Sequence, residues 1–114
     1  MSNLKNSSTL MGHLGAEPEL KQLENGKKLV KLRLATNEVY KNKNGDKVSD
    51  TQWHNCIAWG KQAELIHQYL SKGKEVMIRG KLTYRSYEDK NGVNKNLTEV
   101  IINEFSFVGK KTAV

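Results

Sequence analysis

The sequence predicts an all-β, five-stranded Greek-key barrel with one helix between strands 3 and 4, and three observations predict it. Asn-Gly dipeptides recur at Asn25-Gly26, Asn44-Gly45 and Asn91-Gly92, each between runs rich in strand formers. Asn-Gly readily takes the positive φ angles that tight hairpin turns need. Apolar and polar residues alternate along those runs, the signature of half-buried strands. Residues 61–71 alone carry a convincing helical spacing.

The first strand is expected at about 7–14 with a continuation near 20–23, broken by Gly15 and the sole proline, Pro18, because proline cannot donate to a ladder. The second runs over about 28–40, with Val30, Leu32 and Leu34 on one face and Lys31 and Arg33 on the other, so its outer side is basic. The third lies in Asp50 to Gly60 and holds both tryptophans, Trp53 and Trp59. Their numbers differ by an even amount, so both rings point the same way, roughly 20 Å apart at about 3.3 Å per residue.

In the helix, Ala63, Ile66 and Leu70 stand three and four apart, and Gly73 follows as a stop. Strand 4, at about 75–87, sets Val76, Ile78 and Leu82 against Met77, Arg79, Lys81, Arg85 and Tyr87. Strand 5 covers about 94–107. This is the element order of the OB-fold, a small barrel whose open face binds oligonucleotides. Sandwiches of similar size usually have about seven or more strands and no such helix.

A chain of 114 residues makes one domain. Residues 1–109 are expected to form the barrel and 110–114 a short flexible C-terminal end. No apolar run approaches the roughly 18 residues of a membrane span, and the N-terminus does not read as a signal peptide, so a cytoplasmic location is expected. The single cysteine, Cys56, cannot form an internal disulfide, and no Cys/His pairs at ligand spacing suggest a metal. A buried strand residue is the expectation for it. Mean hydropathy is −0.68, net charge +7 and pI about 9.5, a balance that favours a polyanionic partner. Two large rings on one face of a lysine-rich chain suggest a platform for stacking nucleic-acid bases; the alternative for those rings is a place in the core.

Several sequence words then recur in one order: Leu10-Met-Gly-His-Leu-Gly15 with Pro18-Glu19, Leu34-Ala-Thr-Asn-Glu38, Thr51-Gln-Trp-His54 and Trp59-Gly-Lys-Gln-Ala-Glu64. They continue as Tyr69-Leu-Ser-Lys-Gly73, Gly80-Lys-Leu82, Arg85-Ser-Tyr-Glu-Asp89 and Thr98-Glu-Val100. Over nearly its whole length the chain resembles the bacterial single-stranded DNA-binding proteins. The resemblance implies a homotetramer of OB-folds that wraps single-stranded DNA without sequence preference and protects it in replication, repair and recombination. It implies base stacking on Tyr40, Trp53, Trp59 and Tyr87, phosphate contacts near Lys61 and Arg85, and a subunit-interface role for His54. No cofactor is implied.

Parity independently joins Trp53 to Trp59, and Tyr87 to the basic row Arg79, Lys81 and Arg85. Arg33, the outward arginine of strand 2, and Arg79, Lys81 and Arg85 of that row are expected to contact phosphate, and Lys41, Lys43 and Lys47 in the Asn44-Gly45 hairpin are placed to grip a phosphate backbone electrostatically. Alternation puts Tyr40 on the Val30 and Leu34 face, so it reaches DNA only if its strand bulges or has left the barrel. The chain departs from the family pattern with tyrosine at 40 and 87, where tryptophan is usual. Asn55 and Thr83 stand where arginine is common, and Trp59 where phenylalanine is typical. The family's flexible, acid-tipped tail has no counterpart before Val114, so a short, tail-less form is expected and tail-mediated protein partners are not.

Other readings stay open. One is a different OB-fold module acting in replication restart or on RNA. Another is a small metal-dependent OB-fold nuclease, which needs clustered carboxylates and an arginine for the transition state; Asp46, Asp50, Glu88 and Asp89 are expected instead in or beside loops among lysines. A third is a purely structural oligomer, which leaves the basic outer rows unexplained. No nucleophile or carboxylate is arrayed around His54, so no catalytic residue and no enzyme activity are expected.

Overall fold

The structure is a computed structural model that describes residues 5–108; the expected flexible end, 110–114, lies outside the described residues. The elements are β1 (Ser8–Leu14), β2 (Glu19–Gln22), β3 (Lys28–Lys41), β4 (Lys47–Trp59), α1 (Lys61–Tyr69), β5 (Glu75–Glu88) and β6 (Asn94–Phe107). They form one sheet in the order β1-β5-β6-β4-β3-β2, and β1 also pairs with β3 through His13↔Ala35 and Leu14↔Leu34. That second pairing closes β1, β5, β6, β4 and β3 into a five-stranded barrel, with β4 and β6 parallel and the other pairs antiparallel.

The broken first strand of the sequence is two ladder elements. β1 runs along β5 and touches β3 only at its end; β2 resumes on β3 from Glu19↔Lys31 to Gln22↔Lys28. Between them Leu14 N–H donates to the Lys74 carbonyl at 3.0 Å and Gly15 N–H to the Arg33 carbonyl at 2.9 Å, and Pro18 is buried. Closure depends on Gly12, where a Cβ would stand 2.1 Å from the Ala35 carbonyl oxygen. A side chain there would hold β1 away from β3.

All three expected hairpins form, with a different division of labour at their tips. Gly26, Gly45 and Gly92 have φ of 84°, 80° and 77°, while no described non-glycine residue has positive φ. The asparagines therefore do not share the left-handed conformation. Each connection has five residues, and within it the glycine N–H donates back to the carbonyl three residues before it, on Leu23, Asn42 and Asp89 respectively, the hairpin that ends in a glycine bulge.

Helix α1 stops at Tyr69, two residues short of the expected 71, because Leu70 turns extended (φ −106°, ψ 146°) while its N–H still donates to Ile66 at 2.9 Å. The turn keeps Leu70 buried in the core beside Ala63 and Ile66. These plug a barrel interior lined by Leu14, Val30, Leu34, Val76 and Ile78. The Lys28 ammonium meets the Glu64 carboxylate at 2.7 Å, tying α1 to β3. That hydrogen bond and the lysine's charge pull the Glu64 carboxyl below its ordinary range.

One irregularity lets β6 keep Phe105 on the core side together with Val100 and Ile102. Arg79 faces Glu104 but Gly80 faces Ile102, so Asn103 is an extra residue on β6. Before it the inward residues are Val100 and Ile102; after it Phe105 and Phe107 lie opposite Ile78 and Val76, Phe105 packed against the core and Phe107 at its rim, 37% exposed. Without the bulge, period-2 alternation would turn Phe105 away from the core. Beyond the core the hairpins continue as two ribbons, β3–β4 out to Lys41↔Lys47 and β5–β6 out to Glu88↔Asn94.

Candidate nucleic-acid interface

Register fixes which side chains share the outer face. Arg33, Asn55, Glu99 and Thr83 form one row across β3, β4, β6 and β5, and Lys31, Ile57, Ile101 and Lys81 form the next. Odd-numbered residues of this region therefore point out together, Trp53, Trp59, Arg85 and Tyr87 among them. Trp53 is 51% exposed, Trp59 42% and Tyr87 44%, far more than rings that belong to a core. Between the tryptophans, Ile57 is buried and a cleft of about 300 Å³ opens, lined by Glu17, Lys31, Arg33, Asn55, Ile57 and Glu99 among others.

Trp53 is held on its strand by two neighbours. Its ring lies so close to Gly15 that a Cβ there would come within 2.3 Å of it. The Arg33 guanidinium stands over the ring with Cζ 5.1 Å from its centroid, a cation–π distance. Trp59 ends β4 and faces Leu29. Gly60 (φ 62°) then turns the chain into α1, whose first residue, Lys61, is exposed two positions from the ring. Tyr87 faces Lys95 across the β5–β6 ribbon, and Arg85 Cζ lies 6.0 Å from its ring centroid.

Tyr40 does not join these rings. The β3–β4 register runs without a shift from Leu29↔Trp59 to Lys41↔Lys47, so no bulge turns Tyr40 round. It has left the barrel core, is 53% exposed, and lies on the opposite face of the ribbon from Trp53. Its face carries Glu38 and Asp50, cross-strand partners of like charge.

The expected cations divide in the same way. Lys41 and Lys47 pair at the ribbon tip with Lys43 in the turn beside them, and Lys81 is exposed on the outer face. Arg79 is ion-paired to Glu104 and faces Thr9 of β1, further round the barrel than the tryptophans. Arg85 makes a forked pair with Glu99, Nε donating to Oε1 at 2.9 Å and Nη2 to Oε2 at 3.4 Å. The Glu99 hydrogen bond and its charge raise the guanidinium's already high pKa further. His54 is half-buried on the inward side of β4, its Nε2 2.9 Å from Thr36 Oγ1.

Three members of the face are not among the residues the sequence singles out for binding: Lys95, Lys31 and Glu99. Alternation marks Lys31 as outward, and Lys95 follows from the same parity. A carboxylate inside the strand run Thr98-Glu-Val-Ile-Ile was the available signal for Glu99. Among the described residues no group of three or more His, Cys, Asp or Glu is arranged to hold a metal ion, and no helix is long and apolar enough to cross a membrane.

A closed five-stranded barrel with its helix between β4 and β5, and with exposed rings and cations on one sheet face, defines an OB-fold. The family model described as the single-strand binding protein family matches residues 5–108, and the chain belongs to that family. It is 40% identical over 107 residues to "Single-stranded DNA-binding protein 1" of Chlorobaculum tepidum, covering 93% of this chain and 66% of the relative. It is 35% identical over 104 residues to the single-stranded DNA-binding protein of Neisseria meningitidis serogroup A, covering 91% of this chain and 60% of the relative. The chain thus spans somewhat less than two thirds of the length of these curated relatives. Among solved structures it resembles a chain of "Plasmodium falciparum SSB complex with ssDNA", with a TM-score of 0.83 and 33% identity over 91% of this chain and 95% of that one.

Proposed function

We propose that this chain binds single-stranded DNA without sequence preference, stacking bases on Trp53, Trp59 and Tyr87 while lysines of the same face neutralise the backbone. The observation that carries this reading is that three half-exposed rings share one sheet face with Lys31, Lys81 and Lys95. Every base has a π-face, so a ring platform accepts any of them, and each stacked base is worth about 1–3 kcal/mol. Duplex DNA offers no free faces and binds weakly. Tyr40 enters only when DNA wraps round the β3–β4 ribbon, past Lys41, Lys43 and Lys47. Lys61 lies where a strand leaving Trp59 would pass.

The protein assembles with itself, as a homotetramer, in this reading. Residues 8–12 of β1 pair with β5 along one edge only, since β3 takes just His13 and Leu14. Met11 and its cross-strand partner Met77 are both exposed beside that edge. A second copy adding its β1 would satisfy the edge. His54, off the DNA face, belongs to assembly. Such a protein would act at the nucleoid in the cytoplasm, protecting single strands during replication, repair and recombination, and the reading assigns no catalytic residue.

Tryptophan fluorescence tests the proposal. Titration with oligo-dT should quench Trp53 and Trp59, and log affinity should fall against log salt with a slope of about −0.7 per phosphate neutralised. Unchanged fluorescence at low salt, or equal affinity for duplex, would overturn it.

A further inference from the structure

Glu99 is the one charged residue buried among the described residues, 6% exposed, and it lies in the middle of a cationic face. A carboxylate there opposes DNA binding by its charge, and burying one is costly unless it is paired and hydrogen-bonded. Both its oxygens are engaged by the same side chain, Arg85, through Nε at 2.9 Å and Nη2 at 3.4 Å. The strand beneath is tied in as well, since the Thr83 hydroxyl donates to the Glu99 main-chain oxygen at 3.2 Å. The captured guanidinium stands 6.0 Å from the Tyr87 ring centroid.

We propose that Glu99 is a positioning residue for single-stranded DNA: it fixes the Arg85 guanidinium beside Tyr87, converting that arginine from a phosphate ligand into a wall of a base-stacking site. The inference rests on the DNA-binding reading above. An arginine whose charge is answered by a carboxylate in a forked pair has little left to attract a phosphate. It keeps a rigid plane and three free N–H groups. Guanidinium planes take part in stacking on bases and rings, so the plane extends the surface of Tyr87. Lysine has no such plane.

The rival account, in which Glu99 acts on DNA only through its charge, makes the opposite forecast. Removing the negative charge would then tighten binding. If Glu99 positions Arg85, Glu99→Gln weakens binding although the face becomes more positive.

The experiment is an oligo-dT fluorescence titration across salt, with thermal melts, on the wild type, Glu99→Gln, Arg85→Lys and the double variant. Each single variant should bind about tenfold more weakly at fixed salt, and the double variant no more weakly than either single, as for residues that act through one contact. The salt slope of Glu99→Gln should steepen by up to about 0.7 as Arg85 is released to neutralise a phosphate; a purely structural role would lower the melting temperature and leave the slope alone. Equal or tighter binding by Glu99→Gln, or losses that add in the double variant, would overturn the proposal while leaving DNA binding intact. If Glu99→Gln does not fold, wild-type affinity in Arg85→Lys overturns it. If the wild type itself ignores oligo-dT, the DNA-binding reading falls and takes this one with it.

Discussion

The Arg33 guanidinium stands over the Trp53 indole, Cζ 5.1 Å from its centroid, because the two residues are diagonal neighbours of one antiparallel pair: Arg33 faces Asn55 and Trp53 faces Ala35. Diagonal pairs of this kind lie within reach of long and aromatic side chains. Replacing Trp53 by alanine should remove one stacking position and weaken oligo-dT binding by about 1–3 kcal/mol, roughly 5- to 150-fold. Arg33→Lys keeps the charge and loses the planar contact, so it should cost about 0.5–1 kcal/mol. Titration at one salt concentration checks both, and a larger loss in Arg33→Lys than in Trp53→Ala would contradict this arrangement.

Two glycines on the same stretch should fail in different ways. A Cβ on Gly12 meets the Ala35 carbonyl oxygen at 2.1 Å, which is backbone at the barrel seam, whereas one on Gly15 meets the Trp53 ring at 2.3 Å. Backbone cannot step aside without opening the β1–β3 pairing; a half-exposed ring can. Gly12→Ala should therefore destabilise the fold by about 1–3 kcal/mol or more, seen as a lower denaturant midpoint. Gly15→Ala should keep most of its stability and lose oligo-dT affinity with the displaced indole. If Gly15→Ala proves the less stable of the two, the ring is not free to move.

The barrel was legible in the sequence wherever one local rule decided the outcome. Val30, Leu32 and Leu34 against Lys31 and Arg33 gave the faces of β3, and the three Asn-Gly pairs gave the hairpins. Ala63, Ile66 and Leu70 gave the helix. Local patterns say which side a residue faces and not which strand it will meet. That is why the single first strand became β1 on β5 and β2 on β3, and why the extra Asn103 opposite Arg79 and Gly80 could not be foreseen. The site followed the same division. Parity joined Trp53 to Trp59 on one strand and Tyr87 to Arg85 on another, and put Tyr40 elsewhere, but that the two rows share one face came only from pairing across strands, which was invisible. Nothing local shows that Arg79 is spent on Glu104 and Arg85 on Glu99.

Cys56 links the core to pH. Burial pushes its thiol from 9.0 up to about 12, because a thiolate would be desolvated between β3 and β6. A raised folded-state value means that the unfolded chain loses this proton first. The contribution to stability is therefore complete below about pH 9 and is lost progressively as pH rises towards about 12. Urea midpoints measured from pH 8 to 11 should fall more steeply in the wild type than in Cys56→Ala, which lacks the titrating group. In the folded protein at pH 8 a thiol reagent should react far more slowly than with the urea-unfolded chain, and equal rates would place the sulfur at the surface.

Tyr40 separates local binding from wrapping. It faces away from Trp53 across a ribbon only one strand pair thick, with Glu38 and Asp50 on its own side. A short oligonucleotide lying on the Trp53 face gains nothing from it, and the two carboxylates discourage a phosphate from crossing without reason. A longer strand drawn round the tip by Lys41, Lys43 and Lys47 passes it. Tyr40→Ala should leave the affinity for an oligo-dT of about eight nucleotides, within the span of one OB-fold, unchanged within twofold. Binding of a strand several times longer should weaken by about 1–3 kcal/mol for the lost stack. An equal loss on both lengths would mean that Tyr40 shares a single DNA track with Trp53, which the unbroken register of β3 with β4 does not allow.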